Sequence, residues 1–582
     1  MVVGKPSKEG QAVDTAVNFT LIVSPQEQPV SPQPVSPRLI AAEAVEQFEQ
    51  FDSPWTSCSE IARQLDVGDS TLRHWLRTRW RRMEHSQWPG RTVRFLESPE
   101  GLAVLHRMLT AAHLIFVQAN DCGLRNLCAF LELSGLDEFV APSYGAQQLV
   151  AQQMESLLIA FGEQEDQRLA AGMPPREISV AADETFHPEI CLVGMEPVSN
   201  YLILEKYQPQ RDGATWNRCL GAKLALLPIT VCQVVSDQAQ AIIHYAEVDL
   251  GAHHSPDLFH VQQETSRAVS LPLASQSRQA EEQQTKTQAK VADIQAQFQA
   301  CREQCPESSL GPEFEQQLQQ ARIEEVAAGE HLSACQDRQQ RARQARRGLS
   351  HDYHPFDVDN GRPLHEDEVD RRLASHLDTL QQIATEAGLS AQATKKLAKA
   401  RRVLKPMKAT ILFFWKMLGV WFSLWDLSEP VRHWMRQEFI PGLYLARAAE
   451  KASDATERHR LRDLSHEILA RARSPDGLWG TLSPEVQADL ERKAQTCADL
   501  FQRSSSCVEG RNGQLSLKHH ALHQFTLRKL QALTVLHNYL VRRADGTTAA
   551  ERFYGTAPRD LFPWLLDRLS IPARPRAHRV AA

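Results

Sequence analysis

The pattern of apolar residues between Ile178 and His260 constrains the fold more than any other part of the chain. Three short apolar runs follow one another there and predict a meander of three β-strands. The runs are 178–182, 191–195 and 201–204. A helix (214–224), a strand (227–237), a second helix (239–249) and a short segment ending in SPDLFH (255–260) are predicted to follow. The predicted order is β-β-β-α-β-α-β, an α/β core.

A long helical region separates this core from the C-terminal part of the chain. From about 271 to 345 the sequence is rich in glutamine and charged residues, and the break CPESSLGPEF divides it into two halves. This pattern predicts an antiparallel, coiled-coil-like helical hairpin, with further helices to about 470. The α/β core is therefore predicted to be interrupted by a large all-α insertion.

The N-terminal region combines a polar leader with a basic helical motif. Residues 1–49 are rich in proline, serine and glutamine and predict a disordered leader. Segment 53–83 predicts two short helices joined by a turn at 66–68, and residues 71–96 carry seven arginines against one acid. A helix-turn-helix that binds DNA accounts for both features, and a surface helical hairpin with a solvated basic face is the alternative. The outward positions of the second helix are Ser70, Thr71, Arg73, His74 and Arg77.

Composition limits the cellular setting. The 582 residues carry a net charge of −6, and the eleven cysteines lack the paired spacing of a zinc site, which favours reduced thiols in the cytoplasm. The start MVVGKPSKEG has no apolar signal core, and the apolar run 411–427 is interrupted by Lys416. No export signal or membrane span is expected.

Two acids occupy the places where an active site is expected. The predicted strand order is that of the start of an RNase H-like fold, in which the first and fourth strands are parallel neighbours. Asp183 lies on the first strand and Asp237 at the end of the fourth. Each has a structural alternative, as a strand-end residue or as a helix N-cap. A third acid must come from a later helix, and Glu509 is the candidate, although Ser506-x-x-Glu509 also fits a capping box.

Several motifs, taken in order, resemble a known family. ADETF, VVSDQAQAII, DLFH (257–260), the helical insertion and VEGRNGQL together resemble DDE transposases with an RNase H-like core and an all-helical insertion. The similarity is to the hAT and Mutator kind and to related bacterial insertion-sequence transposases, over roughly 178–270 and 500–555. DLFH fits their C/D-x-x-H signature through Asp257 and His260, and GTTAAERFYG (546–555) is similar to their common ending.

The resemblance implies a chemistry and a set of partners. The chain would bind the ends of a mobile DNA element, cut a strand and transfer the freed 3′-hydroxyl to target DNA. Two Mg²⁺ (or Mn²⁺) ions suit this reaction, because they stabilise charge on both reacting oxygens and prefer carboxylate ligands. The expected partners are double-stranded DNA, as element ends and target, and at least one further copy of the chain. A bacterial cytoplasmic, nucleoid-associated location is expected.

The roles of the site residues follow from the same resemblance. Asp183, Asp237 and Glu509 are the expected catalytic metal ligands, and Asp257 and His260 support them. Asp257 is an alternative second ligand, with Asp237 then only capping a helix. Basic and amide groups near the third acid are expected to hold phosphates, unless they form an ordinary polar helix face. These are Arg511, Asn512 and Lys518.

Two other functions fit the same sequence. A catalytically inactive, domesticated descendant would act as a DNA-binding regulator, and another RNase H-like nuclease, such as a junction resolvase, would cut without a dedicated end-reading domain. The predicted organisation is a disordered leader (1–49), a helix-turn-helix domain (50–97), a helical connector (98–175), the first part of the core (176–270), the helical insertion (271–480), the second part of the core (481–555) and a basic C-terminal tail (556–582).

Overall fold

The computed structural model describes residues 37–50, 58–64, 66–120, 122–186, 189–304, 311–521 and 525–570. These residues are mostly helical, with one mixed five-stranded sheet. They form two compact units. The first contains the residues up to Leu109, Leu131–Ala141 and the residues from Leu566 onward, and the second contains Thr110–Phe130 and Pro142–Leu565.

The first unit begins with a cluster of short helices: α1 (Pro37–Gln50), α2 (Cys58–Gln64), α3 (Asp69–His85), α4 (Gly90–Leu96) and α5 (Pro99–Ala112). The predicted turn at 66–68 joins α2 to α3. Asp66 takes a positive φ of 52°, and the Val67 amide donates to the Ala62 carbonyl at 2.9 Å. Apolar residues of α1, α2 and α3 form one small core, which fixes α3 with its opposite face outward.

The prediction of a disordered leader over 1–49 is wrong from Pro37 onward, because α1 is a packed helix. Its sequence LIAAEAVEQF is rich in strong helix formers, and small apolar side chains recur on one side of it. Ala41, Ala42, Ala44 and Val45 are buried. Residues 1–36 of the predicted leader lie outside the described residues.

The predicted connector 98–175 is divided between the two units. A π-helical turn, His113–Ala119, continues α5, and two helices follow, α6 (Leu124–Leu133) and α7 (Tyr144–Gly172). Helix α7 is 29 residues long and belongs to the second unit, where it is part of the core rather than a linker.

The sheet of the second unit has the order β3-β2-β1-β4-β5. Strand β1 is antiparallel to β2 and parallel to β4, β2 is antiparallel to β3, and β4 is parallel to β5. The predicted succession of strands and helices is confirmed, with ends shifted by a few residues. The elements are β1 (Arg176–Phe186), β2 (Ile190–Glu196), β3 (Tyr201–Tyr207), α8 (Gly213–Trp216), α9 (Ala222–Leu224), β4 (Ile229–Ser236), α10 (Gln240–His244) and β5 (His253–Pro256).

The helical insertion leaves the sheet directly after β5. Helix α11 (Leu258–Thr265) leads through a π-helical turn into α12 (Leu271–Gln304), which packs against α13 (Gly311–Asp352) as the predicted hairpin. The helices that follow bury a large apolar core, to which the aromatic residues of 411–427 contribute. They are α14 (Glu366–Glu386), α15 (Ala391–Arg402), α16 (Leu404–Leu424), α17 (Glu429–Trp434), α18 (Ile440–Lys451) and α19 (Ala455–Ala472).

The chain then returns to the sheet. Helix α21 packs on β1 and β2, and α22 packs on β3 and on α7. The helices of this part are α20 (Pro484–Leu500), α21 (Ser506–Ala521), α22 (Leu527–Tyr539), α23 (Ala549–Tyr554) and α24 (Leu561–Leu566). The predicted basic tail 556–582 is therefore folded at its start, because Leu561, Trp564 and Leu565 of α24 are buried. Residues 571–582 lie outside the described residues.

Two helical stretches of the described chain, Pro99–Ala119 and Ala391–Leu424, are long and apolar enough to cross a membrane by length and composition alone. Apolar side chains of the second stretch, including Ile411 and Leu418, belong to the large core of the insertion. The core helix of a globular domain meets the same two criteria, so this finding is weak evidence for a membrane span.

Candidate metal centre

Asp183 lies near the carboxyl end of the central strand β1, with its backbone paired to Val193 of β2. On the other side, Ala181 pairs with Val235 of the parallel strand β4. Continued by two residues on each strand, this register brings Asp237, directly after β4, level with Asp183. Neighbouring strands lie about 4.8 Å apart, so the backbones of the two acids are neighbours at one edge of the sheet. The Asp237 carboxylate is not part of the group of ligand atoms that lie within 4.8 Å of one another.

Glu509 lies at the same edge of the sheet, although it is more than 300 residues further along the chain than Asp183. It lies in the first turn of α21, which the packing of α21 on β1 and β2 brings over the sheet. Ligand atoms of Asp183, His260 and Glu509 all lie within 4.8 Å of one another. Three residues that are far apart in the sequence, on a strand and two helices, thus form one polar cluster.

The capping alternative for Glu509 is wrong. The Ser506 amide, which a capping-box glutamate would accept, donates to the Ser504 hydroxyl at 3.2 Å. The Glu509 carboxylate instead lies 3.2 Å from His260 Nε2. Its position is therefore set by contacts across the cluster and not by the end of its own helix.

The charges of the cluster are strongly coupled. Burial and the nearby charge of Glu509 raise the pKa of Asp183 to about 7, and the charge of Asp237 adds to this rise. The contact with Glu509 outweighs burial at His260 and raises its pKa to about 9, while His260 in turn lowers the pKa of Glu509. Near neutral pH Glu509 is therefore ionised, His260 is charged, and Asp183 is partly protonated.

Asn512, one turn after Glu509, completes the cluster. Its side-chain amide donates to Oδ2 of Asp183 at 2.8 Å, and the residue is buried. Its Oδ1 is buried and has no hydrogen-bond partner among the described residues. An unpaired buried carbonyl oxygen, on an amide that is bonded to the Asp183 carboxylate, matches the oxygen ligands that Mg²⁺ prefers. The residues present therefore fit a divalent cation.

The two candidates for the second acid differ in how their oxygens are used. Asp257 is almost fully buried, and it accepts one bond from the Phe259 amide at 2.8 Å and another from the Ser505 hydroxyl at 2.6 Å. Asp237 accepts the Ala239 amide at 2.9 Å through Oδ1 and is half-exposed. Both acids thus support a helix start, but Asp257 uses both oxygens for internal bonds. It lies 3.7 Å from His260 Nε2, where it helps to hold the imidazole.

Two residues expected to hold phosphates have structural partners. Arg511 forms two hydrogen bonds of 2.7 Å with the Glu205 carboxylate, and both side chains are buried. Lys518 donates to the Ala119 carbonyl at 3.0 Å, at the end of the π-helical turn His113–Ala119. A buried guanidinium needs a carboxylate, and the last carbonyls of a helix attract a cation. The burial of Arg511 against Glu205 contradicts its predicted phosphate-binding role, whereas the role of Lys518, which is half-buried, stays a prediction.

The predicted DNA-contacting residues of the first unit lie on the outward face of α3. All five side chains are exposed, and Arg73 makes a surface ion pair of 2.8 Å with Asp69. An exposed pair of this kind is worth about 0–1 kcal/mol, so it leaves the guanidinium available to a phosphate. The five residues are Ser70, Thr71, Arg73, His74 and Arg77.

The sequence analysis did not identify Glu205 and Ser505, which fix the position of the elements that carry the cluster. Glu205 anchors α21 to β3 through Arg511, and Ser505 ties the start of α21 to Asp257. The only sequence signal was a glutamate at an alternating position of the apolar strand YLILEKY, where a buried charge requires a partner.

Comparison with known proteins adds one partial match. A family model described as a family of unknown function (DUF6399) matches residues 435–581, about a quarter of the chain. The matched part includes α21 with Glu509 and Asn512, but not the strands that carry Asp183 and Asp237. No curated protein and no solved structure matches the chain.

Proposed function

We propose that the chain is a DDE transposase, which cuts and transfers DNA strands with divalent metal ions after binding the ends of a mobile element. The observation that carries the proposal is that Asp183 and Glu509, which are far apart in the sequence, lie together at the sheet edge where Asp237 follows β4. The strand order and the helical insertion after β5 support an RNase H-like core.

The roles of the acids follow from their positions. In this proposal Asp183 would hold both of two Mg²⁺ (or Mn²⁺) ions, and Asp237 and Glu509 would each hold one. When bound, the ions supply charge stabilisation to the attacking and leaving oxygens of the phosphodiester. Asn512 orients Asp183 through its 2.8 Å hydrogen bond, and His260 fixes the direction of the Glu509 carboxylate.

A cleavage assay tests the proposal directly. Purified protein is incubated with DNA that carries the sequences flanking its own gene, with Mg²⁺ or with a chelator. We expect strand cleavage that needs the metal and is lost in Asp183→Asn. Binding without cleavage in any metal would favour the inactive regulator, and cleavage that ignores the flanking sequences would favour another RNase H-like nuclease.

Mg²⁺ affinity is expected to rise with pH through about 7. The raised pKa of Asp183 means that its proton must leave before the carboxylate can bind the ion. Below that pH, each unit should weaken apparent affinity by up to about tenfold. Calorimetry in buffers of different ionisation enthalpy measures the released proton, and Asp183→Asn is the control. An affinity that stays constant between about pH 6 and 8 would contradict the assignment.

The outward face of α3 is expected to bind element ends. Arg73→Gln and Arg77→Gln each remove one positive charge without changing the buried side of the helix. If the guanidinium contacts a phosphate, affinity should fall about fivefold at 0.15 M salt for every sequence, and the salt dependence should become shallower. If it contacts a base, sequence preference should relax. Arg322→Gln, on the insertion, is the matched control, and unchanged end binding in both variants would exclude this face.

A further inference from the structure

The insertion contains a segment with an unusual charge. Residues 387–425 carry eight lysines and arginines and no aspartate or glutamate, although the whole chain has a net charge of −6. Most of these cations belong to α15 and the start of α16. Such a run usually indicates contact with a polyanion.

The cations of α15 point away from the core of the insertion. Ala393, Leu397 and Ala400 are buried at i, i+4 and i+7. Lys395, Lys399 and Arg402 repeat this spacing two residues later, which is about 200° around the helix. All three are exposed, as is Lys405 in the next turn. We name these four residues the α15 basic stripe; it extends over about 15 Å of helix.

The part of the chain that the structure describes does not neutralise the stripe. Two neighbouring cations are paired, Arg401 with Asp378 and Lys408 with Asp367. Across the described residues, none of the four side chains of the stripe forms an ion pair. Exposed cations held in a row on a rigid, well-packed helix repel one another and gain free energy when a row of negative charges binds.

The helix that carries the stripe packs on a helix of the candidate metal centre. Helix α15 packs against α11, which carries His260 in its first turn, and against the π-helical turn Ser266–Ser270 that follows.

We propose that the α15 basic stripe binds the phosphate backbone of double-stranded DNA, a contact separate from that of α3. The inference rests on the proposed function for the identity of the polyanion. The chemistry of the exposed face favours DNA over an anionic membrane, because a membrane-surface helix needs large apolar side chains facing the lipid. The large apolar residue of α15, Leu397, faces the core.

A charge-neutral variant tests the stripe. Lys395→Gln, Lys399→Gln and Arg402→Gln are combined in the full-length chain, since glutamine keeps the helix propensity of lysine and arginine. A matched control combines Lys286→Gln, Arg302→Gln and Arg322→Gln, which are equally exposed on the hairpin of α12 and α13. Unchanged melting temperatures show that both variants are folded.

Binding of labelled duplex DNA of arbitrary sequence is measured in a chelator over a range of salt concentrations, so that the readout does not depend on cleavage. The stripe variant should bind on the order of 100-fold more weakly at 0.15 M salt, and its plot of log affinity against log salt should be shallower by roughly 2–3. The control triple variant should bind as the unmodified chain does.

The possible outcomes test DNA binding by the stripe independently of the proposed transposase activity. Weaker binding confined to the stripe variant supports the inference even if the chain cleaves no DNA. Equal losses in both variants, equal binding by both, or no DNA binding by the unmodified chain would overturn it even if the chain proves to be a transposase. Stripe-dependent binding to anionic vesicles or to RNA duplex in preference to DNA would also overturn it.

Discussion

Glu509→Gln is expected to abolish Mg²⁺-dependent DNA cleavage while the protein stays folded and binds DNA. Glutamine keeps the size and polarity of the side chain but removes the negative charge that Mg²⁺ requires. The Glu509 carboxylate faces Asp183 and His260, so its charge acts in the cluster and not at the end of α21. We expect a loss of at least about a hundredfold, the scale of one lost charge-stabilising contact.

Three measurements on the same preparations decide the role of Glu509: melting temperature, DNA binding and cleavage. Glu509→Ala should lose cleavage to the same extent, and Glu282→Gln, an exposed glutamate on α12, should retain it. A purely structural glutamate would behave differently, with activity kept in the glutamine variant and about 1 kcal/mol of stability lost in the alanine variant. An active Glu509→Gln protein would refute the candidate metal centre.

Arg511→Met is expected to destabilise the second unit by about 3–5 kcal/mol, because it leaves the buried Glu205 carboxylate without its partner. The guanidinium makes two hydrogen bonds of 2.7 Å to Glu205, which also accepts the Thr534 hydroxyl at 2.7 Å. Methionine fills a similar volume, so the decrease in the free energy of unfolding is due to the missing charge more than to a cavity. The anchor between α21 and β3 would weaken, and Glu509 would lose its fixed position.

The double variant Arg511→Met with Glu205→Gln is the control for this prediction. It removes both charges and should recover most of the lost stability, because no unpaired ion is left in the interior. Unfolding by urea measures all three proteins. If Arg511→Met unfolds at the same urea concentration as the unmodified chain but binds DNA more weakly, the arginine is a phosphate contact after all.

Most elements of the fold were predictable because each has a local signature. The short apolar runs between 178 and 204 predicted the meander, and the break between two glutamine-rich halves predicted the hairpin of α12 and α13. Helix α1 was missed because a proline-rich neighbourhood hid an alanine-rich amphipathic stretch. The order along the chain could be predicted more reliably than the ends of its elements, since ends depend on capping and packing.

The candidate site could be predicted only in part. Asp183 and Asp237 follow from the parallel pairing of two strands, which the order of elements implies. Glu509 was expected because an RNase H-like order requires a third acid on a later helix, and His260 followed from the DLFH motif of the resemblance. The assignment of Arg511 failed because it was judged by residue type alone, and an arginine can hold either a phosphate or a buried carboxylate.

The sequence alone determined the secondary-structure elements, their order and the types of residue near the site, because apolar periodicity and helix breaks depend on residues that are close in the sequence. Only the tertiary structure decided which polar groups meet. Helix α21 brings Glu509 and Asn512 next to Asp183 and pairs Arg511 with Glu205. In each case the residues in contact are more than 300 positions apart in the sequence. Such pairings depend on how helices pack on the sheet, and no local pattern encodes them.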